Sequence, residues 1–406
     1  MKKKILFVDD EPNILQGLKR MLRSMRDEWD ISFAESGQEA LDILTREDFD
    51  VVVSDMRMPR MNGAQLLDEI RILYPQIVRI VLSGHSDKEM ILKSVRSTHQ
   101  YLSKPCDAQK LKSTVTRACA LRDLLEKDSL KRVVSQVDSL PSLPSSYSKL
   151  MDELQSSDAS TKRVGDIMAK DLGMTAKVLQ LVNSAFFGLP VHVSSPSQAV
   201  NLLGIDTVKA LVLSAEVFSK CNQERLPGFS IESLWDHSIN TGTIAKEIAK
   251  MAKIDSKLVD DAFMAGILHD IGKLIIVESL PDSYKKVLEL MNSDKLSFFD
   301  AEYLSLGATH AEMGAYLLGL WGLPDPIIEA VAFHHCPSNC PGGRFGPLIA
   351  VHIANALEHE EENGTYSDKI ISRIDHEYID GLGLTEKIVQ WQEVRDDIKK
   401  RGKHNE

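Results

Sequence analysis

Asp55 ends a β-branched run, Val51-Val52-Val53-Ser54, and is followed at once by a Pro, Asn and Gly turn through Gly63. A second apolar run, Lys4-Ile5-Leu6-Phe7-Val8, ends in Asp9 and Asp10. Carboxylates at the carboxyl ends of strands in an open α/β sheet converge on one crevice. Three like charges there need a counter-ion, and a hard divalent cation, most simply Mg2+, resolves the conflict through oxygen ligands. Asp55 is then an anionic nucleophile for in-line attack on a phosphoryl group. Lys104, before Pro105, is a cation able to reach both Asp55 and a phosphoryl oxygen. Ser83, in Val81-Leu82-Ser83-Gly84, offers a hydroxyl to an added phosphoryl. The plain alternative is a buried Asp55–Lys104 ion pair.

A second constellation lies in Gly266-Ile267-Leu268-His269-Asp270-Ile271-Gly272-Lys273-Leu274, which reads as an ionisable pair inside an apolar helix. Buried His and Asp require partners, and His237, His310, His334 and His335 stand on neighbouring segments. Imidazoles and a carboxylate converging between helices make a transition-metal site able to activate water for phosphoester hydrolysis. Three readings stay open: a structural His/Asp network, a bound metal without turnover, and hydrolysis. A zinc site from His334, His335, Cys336 and Cys340 is a further option, although adjacent histidines seldom both reach one ion.

The elements that must position these residues follow from hydrophobic period. Up to about Arg122, short apolar runs alternate with amphipathic segments. Strands are expected at Ile5–Val8, Ile31–Ala34, Val51–Ser54, Val78–Leu82 and Gln100–Leu102, with helices starting near Pro12, Gly37, Gly63, Asp87 and Asp107. Strict alternation implies right-handed crossovers and a doubly wound, five-stranded parallel sheet. Ser36 and Asp107 sit as N-caps, and Pro12 as a first-turn proline. Helical character from Asp107 to about Val137 reads as one helix that leaves the first domain as a connector, either a solvated spacer or a dimerising coiled coil. Beyond Pro144 the pattern is all-helical, with Ser195-Pro196-Ser197 opening and Gly204 closing one helix, and a charged frayed helix and tail from about Thr365. The expected domains are 1–122, a helical linker at 123–139, a helical domain at 140–360 and an extension at 361–406.

The 406 residues, 43% hydrophobic and 26% charged, fit a globular protein of two or three domains. A net charge of -11 and the lack of a basic stripe disfavour nucleic acid as a partner. No apolar run approaches the roughly 20 residues of a membrane span, and Lys2-Lys3-Lys4 is followed too soon by Asp9-Asp10 for a signal peptide. Five scattered cysteines read as reduced thiols. The expectation is a cytoplasmic protein with no membrane partner.

Through Asp9/Asp10, Asp55 with its Met-Arg-Met-Pro-Arg-Met-Asn-Gly sequel, Ser83, Tyr101 and Lys104-Pro105, the first third of the chain resembles a response-regulator receiver domain. The resemblance implies a flavodoxin-like fold, Asp55 as phosphoacceptor, and Mg2+ held by Asp9, Asp10, Asp55 and the Arg57 backbone carbonyl. It also implies Ser83 and Tyr101 as switch residues and a cognate histidine kinase or phosphotransfer protein as partner.

The second half resembles the HD superfamily of metal-dependent phosphohydrolases and, more closely, the HDOD domain. The latter rests on Leu140-Pro141-Ser142-Leu143-Pro144, the stretch Asp171 to Gly188, and Ala199-Val200-Asn201-Leu202-Leu203-Gly204. The HD-like part is expected at about 231–360. HDOD domains imply a largely non-catalytic module acting on a downstream signalling protein. Yet His237, His269, Asp270, His310, His334 and His335 all stand at HD positions, leaving a hydrolase of a (cyclic di)nucleotide as the alternative. Asn355 replaces the closing Asp of an HD hydrolase, and the Gly-Tyr-Pro signature of cyclic di-GMP phosphodiesterases is absent after His335. The expectation is a two-component response regulator, with a homodimer as one arrangement.

Overall fold

The computed structural model describes residues 2–83, 97–122, 124–137, 141–142, 144–156, 158–183, 193–205, 208, 219–220, 229–294, 296–340, 344–359 and 374–402. The first of these build a parallel sheet of β1 (Lys3–Val8), β2 (Trp29–Ala34), β3 (Val51–Asp55), β4 (Val78–Ser83) and β5 (Gln100–Ser103), in the order β2-β1-β3-β4-β5. Alternate residues of each strand face opposite sides, and both sides are covered. Ile5, Phe7, Val51, Val53 and Ile80 meet α1 (Pro12–Met21), which supplies Leu15 and Leu18. On the other side, Leu6, Val8, Val52 and Val81 meet α2 (Gly37–Leu44) and α3 (Gly63–Leu73). Ser36 caps α2 by accepting from the Glu39 amide, as its position implies. The helix expected near Asp87 lies outside the described residues.

The segment from Asp107 is two helices rather than one. Asp107 accepts from the Lys110 amide, α4 spans Ala108–Arg122, and α5 spans Asp128–Ser135. The chain leaves helical geometry before Lys127 because Leu125 is drawn into the core. On α5, Leu130 and Val134 are buried, so the connector is neither a solvated spacer nor free to form a coiled coil with that face.

The rest is mostly helical: α6 (Pro144–Gln155), α7 (Thr161–Met168), α8 (Leu172–Asn183), α9 (Pro196–Leu203), α10 (Ile231–Met251), α11 (Ser256–Leu268), α12 (Ile271–Ser279), α13 (Pro281–Asp294), α14 (Phe298–Leu306), α15 (His310–Leu320), α16 (Asp325–Phe333) and α17 (Pro347–His359). Ser195 caps α9, and Gly204 leaves it at a φ of 79°. One departure from an all-helical half is a two-residue parallel pairing of Pro141–Ser142 with Ser219–Lys220. Residues 184–188 of the stretch Asp171 to Gly188, and residues 209–218, lie outside the described residues.

After α18 (His376–Gly381), α19 (Ile388–Gly402) is not a loose tail. Trp391 is 1% exposed, and Arg395 donates to the Leu357 carbonyl at the end of α17. One apolar face tucks the charged helix against α10 and α17. Among the described residues, no helix is long and apolar enough to cross a membrane.

Candidate functional site

Adjacent strands β1 and β3, with Val8 opposite Ser54, deliver Asp9 and Asp55 to the same edge. Lys104 Nζ joins them, 2.9 Å from Asp9 Oδ2 and 2.5 Å from Asp55 Oδ1. Each carboxylate is also fixed by a backbone amide: Glu11 N donates to Asp9 Oδ1 and Arg57 N to Asp55 Oδ2, both at 3.0 Å. Asp9 and Asp55 are buried, whereas Asp10 is half-buried beside them. A Cβ at Gly63 would overlap the Asp55 carbonyl oxygen, so glycine lets α3 start close under the acid.

Burial pushes the Asp55 carboxyl above its ordinary range, and Lys104 offsets only part of this. Burial alone would lower Lys104, but bonds to Asp55 and Asp9 outweigh it and raise the ammonium. The 2.5 Å contact and the second carboxylate on the same ammonium make the charged pair the resting form. Two carboxylates gathered about one cation, with Asp10 adjacent, are hard oxygen donors that fit Mg2+. Ser83 ends β4, buried, and its carbonyl accepts from Lys104 N at 2.7 Å. Tyr101 is buried on β5, opposite Val81.

The second cluster forms where the sequence pattern showed continuous helix. Here α11 ends at Leu268, His269 is its C-cap, and Asp270 (φ -99°, ψ 10°) opens α12. The break turns both side chains inward between helices. Close approach of α12 to α15 requires Gly272, where a Cβ would overlap the His310 carbonyl.

Asp270 divides its oxygens between two sets of partners. On the Oδ2 side are His269 Nε2 at 3.4 Å, His237 Nε2 at 3.8 Å and Lys273 Nζ at 2.6 Å. Asn355 Oδ1 stands 3.0 Å from His237 Nε2, so the residue expected at the closing position does reach this group. On the Oδ1 side are His310 Nε2 at 3.1 Å and His334 Nε2 at 3.9 Å, with His335 Nε2 3.0 Å from His310 Nε2. Every candidate of the expected second site is thus brought together.

Backbone carbonyls fix the tautomers. His269 Nδ1 donates to Gly266 O at 2.7 Å and His334 Nδ1 to Val331 O at 2.8 Å, which leaves each Nε2 lone pair aimed into the cluster. The His334 Nε2 atom is buried with no hydrogen-bond partner among the described residues. His237 and His269 bring their Nε2 atoms within 3.2 Å of each other. Cis ligands of an ion with bonds of about 2.1 Å stand about 3 Å apart, so these spacings suit nitrogens sharing a cation.

Electrostatics agree for most of the ligands. Burial holds His269 below its usual range and His334 and His335 well below, neutral and able to coordinate. Burial would raise Asp270, yet His269, Lys273 and His310 hold it well below the usual carboxylate range. His310 differs: burial would lower it, but Glu302 and Asp270 raise it to about 9.

Glu302 was not singled out in the sequence. From α14 its Oε2 accepts both His310 Nδ1 at 2.6 Å and His310 N at 3.0 Å, orienting Nε2 toward Asp270. Its one signal was a carboxylate four residues after Phe298, where an apolar residue would be expected on a helix facing a core. Conversely, Cys336 and Cys340 belong to neither group of metal-capable residues among those described, so the His334/His335/Cys336/Cys340 zinc site does not assemble. Adjacent His334 and His335 do face one locus, because α16 ends between Phe333 and His334 and the rings splay beyond it.

Comparison with known proteins followed the same division. Residues 5–116 match the response regulator receiver domain and residues 140–337 the HDOD domain. An uncharacterized protein of Treponema pallidum (strain Nichols) is 27% identical over 221 residues, 54% of this chain and 42% of that protein. The hydrogenase transcriptional regulatory protein HoxA of Cupriavidus necator is 36% identical over 122 residues, 30% of this chain and 25% of that protein. The chain thus spans less than half the length of these curated relatives. Among solved structures, the signal receiver domain of an HD domain-containing protein from Pseudomonas fluorescens Pf-5 aligns with a TM-score of 0.29 and 33% identity, over 30% of this chain and 98% of that one. The MmoQ response regulator from Methylococcus capsulatus aligns with a TM-score of 0.48 and 20% identity, over 63% and 98%.

Proposed function

Since this chain is an N-terminal response regulator receiver domain followed by a C-terminal HDOD domain, we propose that it is a phosphorylation-switched regulator whose HDOD half acts on a signalling partner. The observation that carries the proposal is Lys104 bonded to both Asp9 and Asp55. A receiver domain implies a cognate histidine kinase and Mg2+. In this reading Asp9, Asp10, Asp55 and the Arg57 carbonyl hold Mg2+, which supplies positive charge for the incoming phosphoryl oxygens. An Asp55 carboxylate oxygen attacks phosphorus in line, and the bond from phosphorus to the donor breaks with its electron pair leaving on the donor. Lys104 exchanges its Asp55 contact for a phosphoryl oxygen, and the Ser83 hydroxyl donates to another. Acetyl phosphate should add one phosphoryl group to wild type and none to Asp55→Asn. A label that persists on the variant removes Asp55 as acceptor.

The Asp270 cluster supports a transition-metal site within the HDOD half. A second reading, hydrolysis of a (cyclic di)nucleotide, is favoured by the two ligand groups flanking Asp270 with Lys273 alongside. Asn355 weighs against it, because a neutral amide is a poorer partner for a metal that must polarise water. Release of linear nucleotide from a cyclic dinucleotide by metal-loaded wild type, lost in His269→Ala/Asp270→Ala, would favour this second reading.

A further inference from the structure

The receiver and its connector touch α15 and α16, the two helices that present the Oδ1-side ligands, and α14, which carries Glu302. Lys127 Nζ donates to Leu306 O, at 2.6 Å, on the last turn of α14, the helix of Glu302. Ser135 Oγ lies 3.4 Å from the Tyr316 hydroxyl on α15, the helix that begins at His310. Gln100 Nε2 donates to Gly319 O, at 3.0 Å, near the other end of α15. Arg117 Nε pairs with Asp325 Oδ1, at 3.0 Å, where α16 starts toward His334.

These contacts lead back to the phosphorylation site through rigid elements. Gln100 immediately precedes Tyr101 on β5, the strand that ends just before Lys104. The Ser135 carbonyl accepts from Arg79 Nη2 at 3.1 Å, and Arg79, 1% exposed, is held to the Ser97 carbonyl at 2.7 Å. Arg79 belongs to β4, which ends at Ser83. At the far end, α15 has no slack: its His310 carbonyl lies against the Gly272 backbone, and Gly314 fits beside Gly272 and Ile271. An 11-residue helix of about 16 Å, packed on all these sides, moves as a rod rather than absorbing a displacement.

We propose that α14 and α15 couple the two sites, so that the phosphorylation state of Asp55 sets the metal affinity of the Asp270 cluster through the Glu302–His310 pair. This rests on the reading of that cluster as a metal site. The coupling is reciprocal: metal at Asp270 changes the affinity of the receiver for a phosphoryl group by the same factor.

The test uses the full chain, with Mg2+ saturating the receiver, zinc as the probe and beryllofluoride as the phosphoryl mimic on Asp55. Equilibrium dialysis should find the zinc dissociation constant of wild type shifted by at least about 5-fold on adding beryllofluoride, in either direction. The shift should vanish in Asp55→Asn. In Gln100→Ala/Tyr316→Phe, zinc should bind with the resting affinity while the shift collapses. Gln100→Ala alone, at a partly exposed position, serves if the double variant does not fold. Zinc bound equally with and without beryllofluoride overturns the coupling and leaves the metal site standing. Zinc bound no better by wild type than by His269→Ala/Asp270→Ala overturns the metal reading and the coupling with it. A full shift retained in the Gln100 and Tyr316 variants overturns the assigned route.

Discussion

Replacing Glu302 by Gln should change the proton balance of metal binding at Asp270. In the metal-free protein His310 sits at about 9, against an ordinary 6.5, because Glu302 and Asp270 outweigh its burial. Protonated Nε2 cannot ligate, so the ion must expel that proton. At pH 7.5 this costs about 2 kcal/mol, or about 30-fold in affinity. His269, His334 and His335 are held below their ordinary values and add little to the balance at that pH. Metal affinity should therefore rise by about tenfold per unit between about pH 6.5 and 9, with close to one proton released from His310. The sign for stability is opposite: a raised folded-state pKa stabilises the metal-free fold fully below 6.5. That contribution, about 3 kcal/mol, is lost as pH rises through 9. In Glu302→Gln the amide oxygen still accepts from Nδ1 but carries no charge, so His310 falls toward its ordinary value and proton release at pH 7.5 drops. Titration calorimetry in buffers of different ionisation enthalpy counts the protons directly. A wild-type count near zero at pH 7.5, or one that Glu302→Gln leaves unchanged, would refute the argument.

Gly272→Ala should cost about 1–3 kcal/mol, because the new methyl group overlaps the His310 carbonyl and must push α15 away. Chemical denaturation measures the loss, and unchanged stability would mean the helices are less closely packed than described. Asn355→Asp should tighten metal binding by about tenfold, since a carboxylate replaces a neutral oxygen 3.0 Å from His237 Nε2. Equilibrium dialysis would read this, and equal affinity would place Asn355 outside the ligand group.

Much of the fold was legible because the receiver strands are short apolar runs, each stopped by an acid or a turn residue. Strand boundaries extend only one or two residues past the expected ones. Hydrophobic period misleads where tertiary contacts override it. Leu125 continues the helical spacing from Leu111, yet it is buried outside a helix. The junction at His269-Asp270 was hidden because apolar residues on both sides keep helical spacing through the break. In α19 the charges obscured Trp391, which packs beside Phe345, and Arg395, which reaches the Leu357 carbonyl of α17. The members of the Asp270 cluster were readable as residue types, whereas its division between two carboxylate oxygens needed the helix packing. The Gln100, Arg79 and Ser135 contacts join residues far apart in the chain and follow no local pattern.

We propose above that the Asp270 cluster of the HDOD half holds a transition-metal ion. The most direct test is the metal content, by elemental mass spectrometry, of wild type and His269→Ala/Asp270→Ala purified without chelators. Near-stoichiometric iron, manganese or zinc is expected in wild type and is expected to be lost from the double variant. A wild type that carries no transition metal, or a double variant that keeps it, would rule out an ion held by His269 and Asp270.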